Sequence, residues 1–306
     1  MNVVFFGSSN FSVPALKSIA SYVPWVVTKR SKPKGRGYSF DDNEVKKTAI
    51  QLDLPLLEIE SFKDEGAQKL IELRPDLFVV ASFGLILPKW ALDLPTKGAI
   101  NVHPSLLPKY RGPSPIQWAI LNGEKKTGIT IMKMVEKMDA GDIIYQEEMA
   151  IAEIDSAIVL SAKLSERSAE ILPEIVCNIE LHGLAKGTEQ NDEEATYTPI
   201  ITKEMGRIDW GKKSAEIVGQ VKAFVLWPTA YTILNDELLK IFDAEVGILR
   251  SEATTGTIFA KNRDGVIIAT ADGSVLVKEV QLENRKRIRA GEFANGYRGL
   301  IGTALK

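Results

Sequence analysis

Hydrophobic and polar positions change rhythm about two-thirds of the way along the chain. Before that point, short uninterrupted apolar runs at 2–6, 25–28, 77–82 and 99–102 alternate with longer stretches of helical spacing. Runs without polar alternation are those of strands buried on both faces of a parallel sheet. Ser12, with Pro14 in the first turn, marks one helix start. Asp41 or Asp42 marks a second helix running to Gln51, and Ser61 or Asp64 a third running to Leu73. Residues 128–134 and 142–151 predict a later pair of strands. Residues 156–181 predict a long helix with Leu160, Leu164, Ile171, Ile175 and Ile179 on one stripe, which Pro173 should kink or divide. This succession predicts an α/β fold, a Rossmann-like doubly wound and mostly parallel sheet.

From Gly187 to Glu204 the chain turns polar, centred on Gln190-Asn191-Asp192-Glu193-Glu194. That composition predicts a linker over 187–204 between a domain at 1–186 and a second at 205–306. In the second domain a helix at 214–225 precedes short runs at 230–234, 238–243, 256–260, 266–270 and 274–282. Turns such as Arg263-Asp264-Gly265 and Ala271-Asp272-Gly273 separate them. Five closely spaced strands predict a small OB-like β-barrel.

Composition narrows the classes. With 306 residues, 45% hydrophobic and 25% charged, the chain is neither disordered nor collagen-like, and its length suits two domains. A single cysteine, Cys177, excludes an internal disulfide and any multi-cysteine zinc site, and points to a reducing compartment. No run approaches the roughly 20 apolar residues that a membrane span needs, and no basic segment precedes the apolar run 2–6. A cytoplasmic protein with no membrane partner, no bound metal and a monomeric state is expected. The net charge of −2 hides an asymmetry: residues 1–200 carry 22 Lys and Arg against 27 Asp and Glu, residues 201–306 carry 16 against 13. Lys29, Arg30, Lys32, Lys34 and Arg36, interleaved with Pro33, Gly35 and Gly37, form a basic loop.

Candidate chemistry is sparse and therefore readable. The first strand–helix turn reads Gly7-Ser8-Ser9-Asn10 and lacks the G-x-G-x-x-G that lets a pyrophosphate approach, so a nicotinamide cofactor is not expected. Of two histidines, His182 ends the long helix, where a cation complements the helix dipole. His103 follows the apolar run 99–102 at its carboxyl end, the edge where open α/β sheets bind ligands. Strand alternation puts Asn101 and His103 on one face, a pairing suited to holding an oxyanion; taken alone, the two also read as a turn Asn and a capping His. Met138-Asp139-Ala140-Gly141-Asp142 joins two apolar runs and by itself reads as an ordinary hairpin turn. A carboxylate returning from it to His103 would orient the ring, raise its pKa and assist proton movement.

Asn101-Val102-His103-Pro104-Ser105-Leu106-Leu107-Pro108-Lys109-Tyr110-Arg111-Gly112, with Asp139 thirty-six positions after the histidine, resembles the active site of the folate-dependent formyltransferases. Phe6-Gly7-Ser8-Ser9-Asn10-Phe11, Ser82-Phe83-Gly84-Leu85-Ile86-Leu87-Pro88, Pro115-Ile116-Gln117-Trp118 and Gly128-Ile129-Thr130-Ile131-Met132 follow the family order. Ile208-Asp209-Trp210, Trp227-Pro228 and Gly296-Tyr297-Arg298 extend the match through the second domain. The resemblance implies that Asn101, His103 and Asp139 are catalytic. It implies that Ser105, Leu106, Leu107 and Pro108 lie against tetrahydrofolate, and that Phe83, Gly84, Leu85 and Ile86 line the pterin pocket. The implied donor is 10-formyltetrahydrofolate, and direct attack by an amine needs no protein nucleophile, in keeping with the lack of a recognisable Ser or Cys triad.

Three acceptors compete within the family. Glycinamide-ribonucleotide enzymes end near the linker, whereas enzymes acting on sugar nucleotides share the two-domain length. The basic loop favours the branch whose acceptor is the α-amine of methionine on initiator tRNA, used in translation initiation. There Lys29, Arg30, Lys32, Lys34 and Arg36 would meet phosphates, as would Arg285, Lys286, Arg287 and Arg289 in the second domain. The loop departs from the family pattern, which has an acidic residue ahead of the proline. A protein that binds RNA without catalysis is the alternative from a different class.

Overall fold

The computed structural model describes residues 1–34, 39–250 and 252–306. Contacts divide the chain into two units, Met1–Pro115 with Lys126–Ala150 and Ser161–Thr198, and Ile116–Lys125 with Ile151–Leu160 and Pro199–Lys306. The elements of the first part of the chain are β1 (Val3–Gly7), α1 (Ser12–Ser18), β2 (Trp25–Lys29), β3 (Lys32–Lys34), β4 (Ser39–Asp41), α2 (Glu44–Gln51), β5 (Leu56–Ile59) and α3 (Glu65–Glu72). They continue with β6 (Leu77–Ala81), α4 (Lys89–Leu92), β7 (Ala99–His103), α5 (Pro115–Leu121), β8 (Lys126–Lys133), β9 (Ile143–Ala150) and α6 (Ala157–His182).

A seven-stranded sheet runs in the order β5-β2-β1-β6-β7-β8-β9. The first five strands are parallel, and β8 and β9 join antiparallel. The sheet is thus the expected Rossmann-like, mostly parallel one. Every residue of β1 and β6 is buried, which is why their sequences carry no polar alternation. The chain leaves β1 toward β2 and β5 and returns to β6 on the other side of β1, so the carboxyl ends of β1 and β6 form the topological switch point where such sheets bind ligands. Phe6 of β1 and Phe78 of β6 pack edge to face across these two strands, with ring centroids 4.7 Å apart.

Several helix boundaries differ from the expected ones. Ser12 caps nothing; its hydroxyl donates to the Ala81 carbonyl and ties α1 to β6. Asn43, not Asp41 or Asp42, caps α2 by accepting from the Lys46 amide at 3.0 Å. Helix α6 is not divided at Pro173. Leu160, Leu164, Leu172, Ile175, Val176 and Ile179 bury one stripe across the proline, and packing along the whole face outweighs a local penalty of about 3 kcal/mol.

The second part of the chain contains α7 (Ser214–Ala223), β10 (Ala230–Leu234), β11 (Glu237–Val246), β12 (Ile258–Lys261), β13 (Val266–Ala269), β14 (Ser274–Leu282), β15 (Ile288–Arg289) and α8 (Ala290–Gly296). Its antiparallel sheet has the order β10-β11-β14-β13-β12, with β15 on β14. That path is open, because among the described residues β10 and β12 do not pair, so strand pairing does not close the expected OB-like barrel. Residues 302–306 instead bond to both ends: Lys306 exchanges two 3.0 Å hydrogen bonds with Ile233, while the Ile258 amide donates to Thr303 at 2.9 Å and the Gly302 amide to Ile258 at 2.8 Å. Trp210, Ile217, Val221, Ile241, Val277 and Phe293 belong to the core beneath.

The start of α7 is capped from a distance. The Asp272 carboxylate accepts from the Ser214 amide at 2.8 Å and its hydroxyl at 3.0 Å. The amide bond holds the Asp272 carboxyl below the usual carboxylate range. A depressed folded-state pKa adds stability that is present above the unfolded value and is lost as pH falls through the folded one. Asp272→Ala should therefore cost about 1 kcal/mol at neutral pH. In urea unfolding of the variant and its parent, that difference should shrink below about pH 4.

Candidate active site

Adjacent parallel strands β6 and β7 deliver two loops to one edge. Ala81 pairs with Val102, so residues 82–88 and 104–112 leave the sheet side by side. Asn101 and His103 lie two apart on β7 and share a face, opposite Met132 and Thr130 of β8. His103 is buried and Asn101 half-buried. Among the described residues the Asn101 amide has no hydrogen-bond partner within the protein.

The His103 ring is fixed from both sides. Its Nε2 lies 3.0 Å from the Tyr110 carbonyl oxygen. A carbonyl only accepts, so Nε2 carries the proton and donates. In the neutral ring Nδ1 is then a bare acceptor, and it lies 3.7 Å from Asp139 Oδ2. That separation is too long for a hydrogen bond, and it leaves the carboxylate beside the ring edge. Asp139 has φ +50°, and its Oδ2 accepts from the Gly112 amide at 2.8 Å. One short loop, Tyr110-Arg111-Gly112, thus provides the partner of the imidazole and the partner of the carboxylate. An Nδ1 so placed can take a proton from an attacking group and return it, while the Asn101 amide can donate to a developing oxyanion.

Residues 105–108 form a braced turn beside this pair. Thr130 Oγ1 donates to the Ser105 carbonyl at 2.6 Å and accepts from the Leu107 amide at 3.2 Å. Gln146 Nε2 donates to the Leu107 carbonyl at 2.8 Å, and the Leu107–Pro108 bond is cis. Ser105 and Leu107 point inward and are buried, while Leu106 and Pro108 are partly exposed. Leu106 packs where a side chain on Gly128 would stand, 2.5 Å from an ideal Cβ.

The expected pterin loop divides. Phe83 is buried against Phe6 and Phe62, with centroids 5.3 and 6.2 Å apart, and belongs to the core. Gly84 and Ile86 are exposed and Leu85 partly so. Gly84 has φ +74°, and an ideal Cβ there would stand 2.8 Å from Lys29 Nζ. The Lys29 ammonium therefore reaches the loop after β6. Arg30 is exposed, Lys32 and Lys34 lie in β3, and Arg36 is outside the described residues. Arg285, Lys286 and Arg289 are exposed. Arg287 already pairs with Glu279 and stacks over Phe242 at 4.2 Å.

The polar stretch expected as a linker holds residues that sequence reasoning missed. Arg111 is completely buried. Its Nε and Nη2 donate to Gln190 Oε1 at 3.1 and 2.8 Å, and its Nη1 donates to Asp192 Oδ1 at 2.8 Å and to the Tyr197 hydroxyl at 3.2 Å. Burial opposes the guanidinium charge, but the bonds to Tyr197 and Asp192 outweigh it and hold its pKa above the ordinary value. The Tyr110 amide donates to Thr196 Oγ1 at 2.8 Å, the Arg111 amide to the Thr196 carbonyl at 2.8 Å, and the Thr198 amide to the Arg111 carbonyl at 2.7 Å. Polar composition alone does not separate a solvated linker from a strap whose polar groups meet the 110–112 loop. Gly112→Ala tests this packing. At φ +118° its Cβ would stand 2.6 Å from Thr198 Oγ1 and 2.7 Å from the Thr198 carbonyl oxygen, so urea unfolding should show a loss of about 2 kcal/mol.

Residues 1–176 match the formyl transferase family and residues 200–298 match the formyl transferase C-terminal domain, so the chain belongs to the formyl transferase family. Within it, the chain is 41% identical to the methionyl-tRNA formyltransferase of Bacillus subtilis over 99% of this chain and 97% of that one. It is likewise 41% identical to that of Clostridioides difficile over 97% of each. Among solved structures, the N-formyltransferase of Helicobacter canadensis in complex with folinic acid and dTDP-3-aminofucose superposes with a TM-score of 0.67 at 20% identity, covering 90% of this chain and 98% of that one. HypX of Aquifex aeolicus in complex with tetrahydrofolic acid gives 0.67 at 17% identity, covering 99% of this chain. The chain spans about half the length of HypX, 48%. At these identities the two structures speak for the fold alone.

Proposed function

We propose that this protein transfers the formyl group of 10-formyltetrahydrofolate to the α-amine of methionine carried by initiator tRNA, a cytoplasmic reaction that prepares the first aminoacyl-tRNA for translation. One observation carries the chemistry: His103 Nδ1, stripped of its proton by the tautomer that the Tyr110 carbonyl selects, faces the Asp139 carboxylate two residues along β7 from an unpartnered amide. Identity of 41% across the whole length of methionyl-tRNA formyltransferases favours the tRNA acceptor over a sugar nucleotide.

The amine nitrogen attacks the formyl carbon, a C–N bond forms, and the carbonyl oxygen becomes an oxyanion to which the Asn101 amide donates. His103 Nδ1 takes the proton that the amine loses, and Asp139 offsets the ring's charge. Collapse of the tetrahedral species breaks the bond to N10 of the folate, and the same imidazole returns the proton to that nitrogen. Free α-amines have a pKa of about 7.7–8.0, so a useful fraction is neutral near pH 7 without a strong base. Ser105, Leu106, Leu107 and Pro108 shape the folate side of the site, with Gly84, Leu85 and Ile86 at its pterin end. Phe83 supports that end from the core. In this reading residues 205–306 form an OB-like unit, its strand path completed by residues 302–306, whose cations Arg285 and Lys286 join the basic loop 29–37 in meeting RNA phosphates.

Incubation with labelled 10-formyltetrahydrofolate tests the assignment. Label should pass to methionyl-initiator tRNA and not to an amino-sugar nucleotide, and the reverse result would replace this reading with the sugar enzyme. Asn101→Ala should lower kcat by about 10²- to 10³-fold, the cost of one oxyanion donor. His103→Ala should abolish turnover while tRNA binding in a filter assay persists; unimpaired turnover would remove His103 from the chemistry. Lys34→Ala and Arg36→Ala should each reduce the slope of log affinity against log salt by about 1, with folate binding unchanged. Equal losses with a small free amine as acceptor would show that the loop does not serve tRNA.

A further inference from the structure

We infer that Gln190 is a positioning residue for the transfer reaction, joining the buried guanidinium of Arg111 to the turn that carries Asp139. The inference rests on the reading just given. Gln190 is 8% exposed, and all of its hydrogen-bonding capacity is used within the protein. Its Oε1 accepts two bonds from Arg111, and its Nε2 donates to the Asp139 carbonyl at 2.9 Å and to the Gly141 carbonyl at 2.7 Å. The guanidinium only donates and the two carbonyls only accept, so the amide has one possible orientation. Glu offers no donor, and Asn is a methylene short of spanning the gap.

The bridge explains how Asp139 keeps its place. The residue sits at φ +50°, a region that costs of order 1–3 kcal/mol unless neighbours enforce it. Its carboxylate is fixed by the Gly112 amide and its carbonyl by Gln190, while Arg111, between Tyr110 and Gly112 in sequence, is fixed by Gln190 as well. The donor to Asp139 Oδ2 and the acceptor of His103 Nε2 therefore share one anchor. Loss of the Gln190 donors frees the Asp139 turn and lets the 3.7 Å separation from Nδ1 drift. A misplacement of about 1 Å in a catalytic group can cost roughly 100-fold in rate.

Gln190→Glu keeps an acceptor for Arg111 and removes both donors to the turn; Gln190→Met removes both halves. In the full chain, kcat with methionyl-tRNA should fall about 10- to 100-fold, with KM for both substrates changed less than about two-fold. At fixed neutral pH the ring resonances of His103 should move relative to the parent, because the Asp139 charge moves, while those of His182 stay in place. A kcat within two-fold of the parent in either folded variant, or unmoved His103 resonances, would overturn the inference. Loss of the fold in both variants would make Gln190 a structural strut and overturn it equally. Should the parent itself fail to formylate methionyl-tRNA, the functional reading falls, and the comparison of the two histidines still decides the role of Gln190.

Discussion

A guanidinium with no exposed surface must find its hydrogen-bond partners inside the protein or destabilise it. Arg111 is such a group, and its partners come from a polar strand of chain some eighty residues further on. Stripping one partner from a buried ion typically costs about 3–5 kcal/mol, so the fold keeps residues 188–198 against the 110–112 loop. The rest of the site follows from that constraint. Tyr110 presents its carbonyl to His103, Gly112 presents its amide to Asp139, and Thr196 and Thr198 complete the backbone bonding on either side. Asp192 is shared between Lys137 and Arg111, whose bonds hold its carboxyl below the usual range.

The strand face that carries Asn101 and His103 was legible because the two lie close in sequence on an element with a strong signal. The run at 99–102 announces a buried strand, and period-two geometry puts residues 101 and 103 together without any tertiary information. The return of Asp139 could not be reasoned from spacing; it came from the resemblance, and 3.7 Å is where the fold puts it. Short elements escaped. Glu58 interrupts the four-residue apolar run of β5, and the seven residues of α5 begin at Pro115 just after Pro113, a pairing that reads as loop. The caps were misplaced for a related reason: Ser12, Asp41, Asp42 and Asn43 are equally plausible by type, and only the position of the neighbouring strand decides which side chain reaches a helix end. Polar chemistry was the hardest to read, since Gln190 in a run of Asn, Asp and Glu looks like any solvated residue.

The geometry also sharpens the chemical expectation. An amide and an imidazole on one strand suggest two donors to an oxyanion, but the Tyr110 carbonyl occupies the ring's protonated nitrogen. In the proposed reaction the imidazole would work through a single atom, accepting first and donating only once it is charged. The difference between Asn101 and His103 in hydrogen bonding is a product of the loop after β7, not of the strand itself.

The open strand path of the second unit has a consequence for how the chain is made. Its two terminal edges, at β10 and β12, both receive bonds from residues 302–306, which leave the ribosome after every strand of that sheet. Residues 207–208 reach β10 at Tyr231 before that, but until the last residues arrive Ile233 of β10 and Ile258 of β12 lack those partners, and such unpaired edge groups are a template on which nascent chains associate. The interval between the emergence of β15 and the arrival of Lys306 is thus when this unit is most exposed to aggregation, and a pause or truncation there would prolong it.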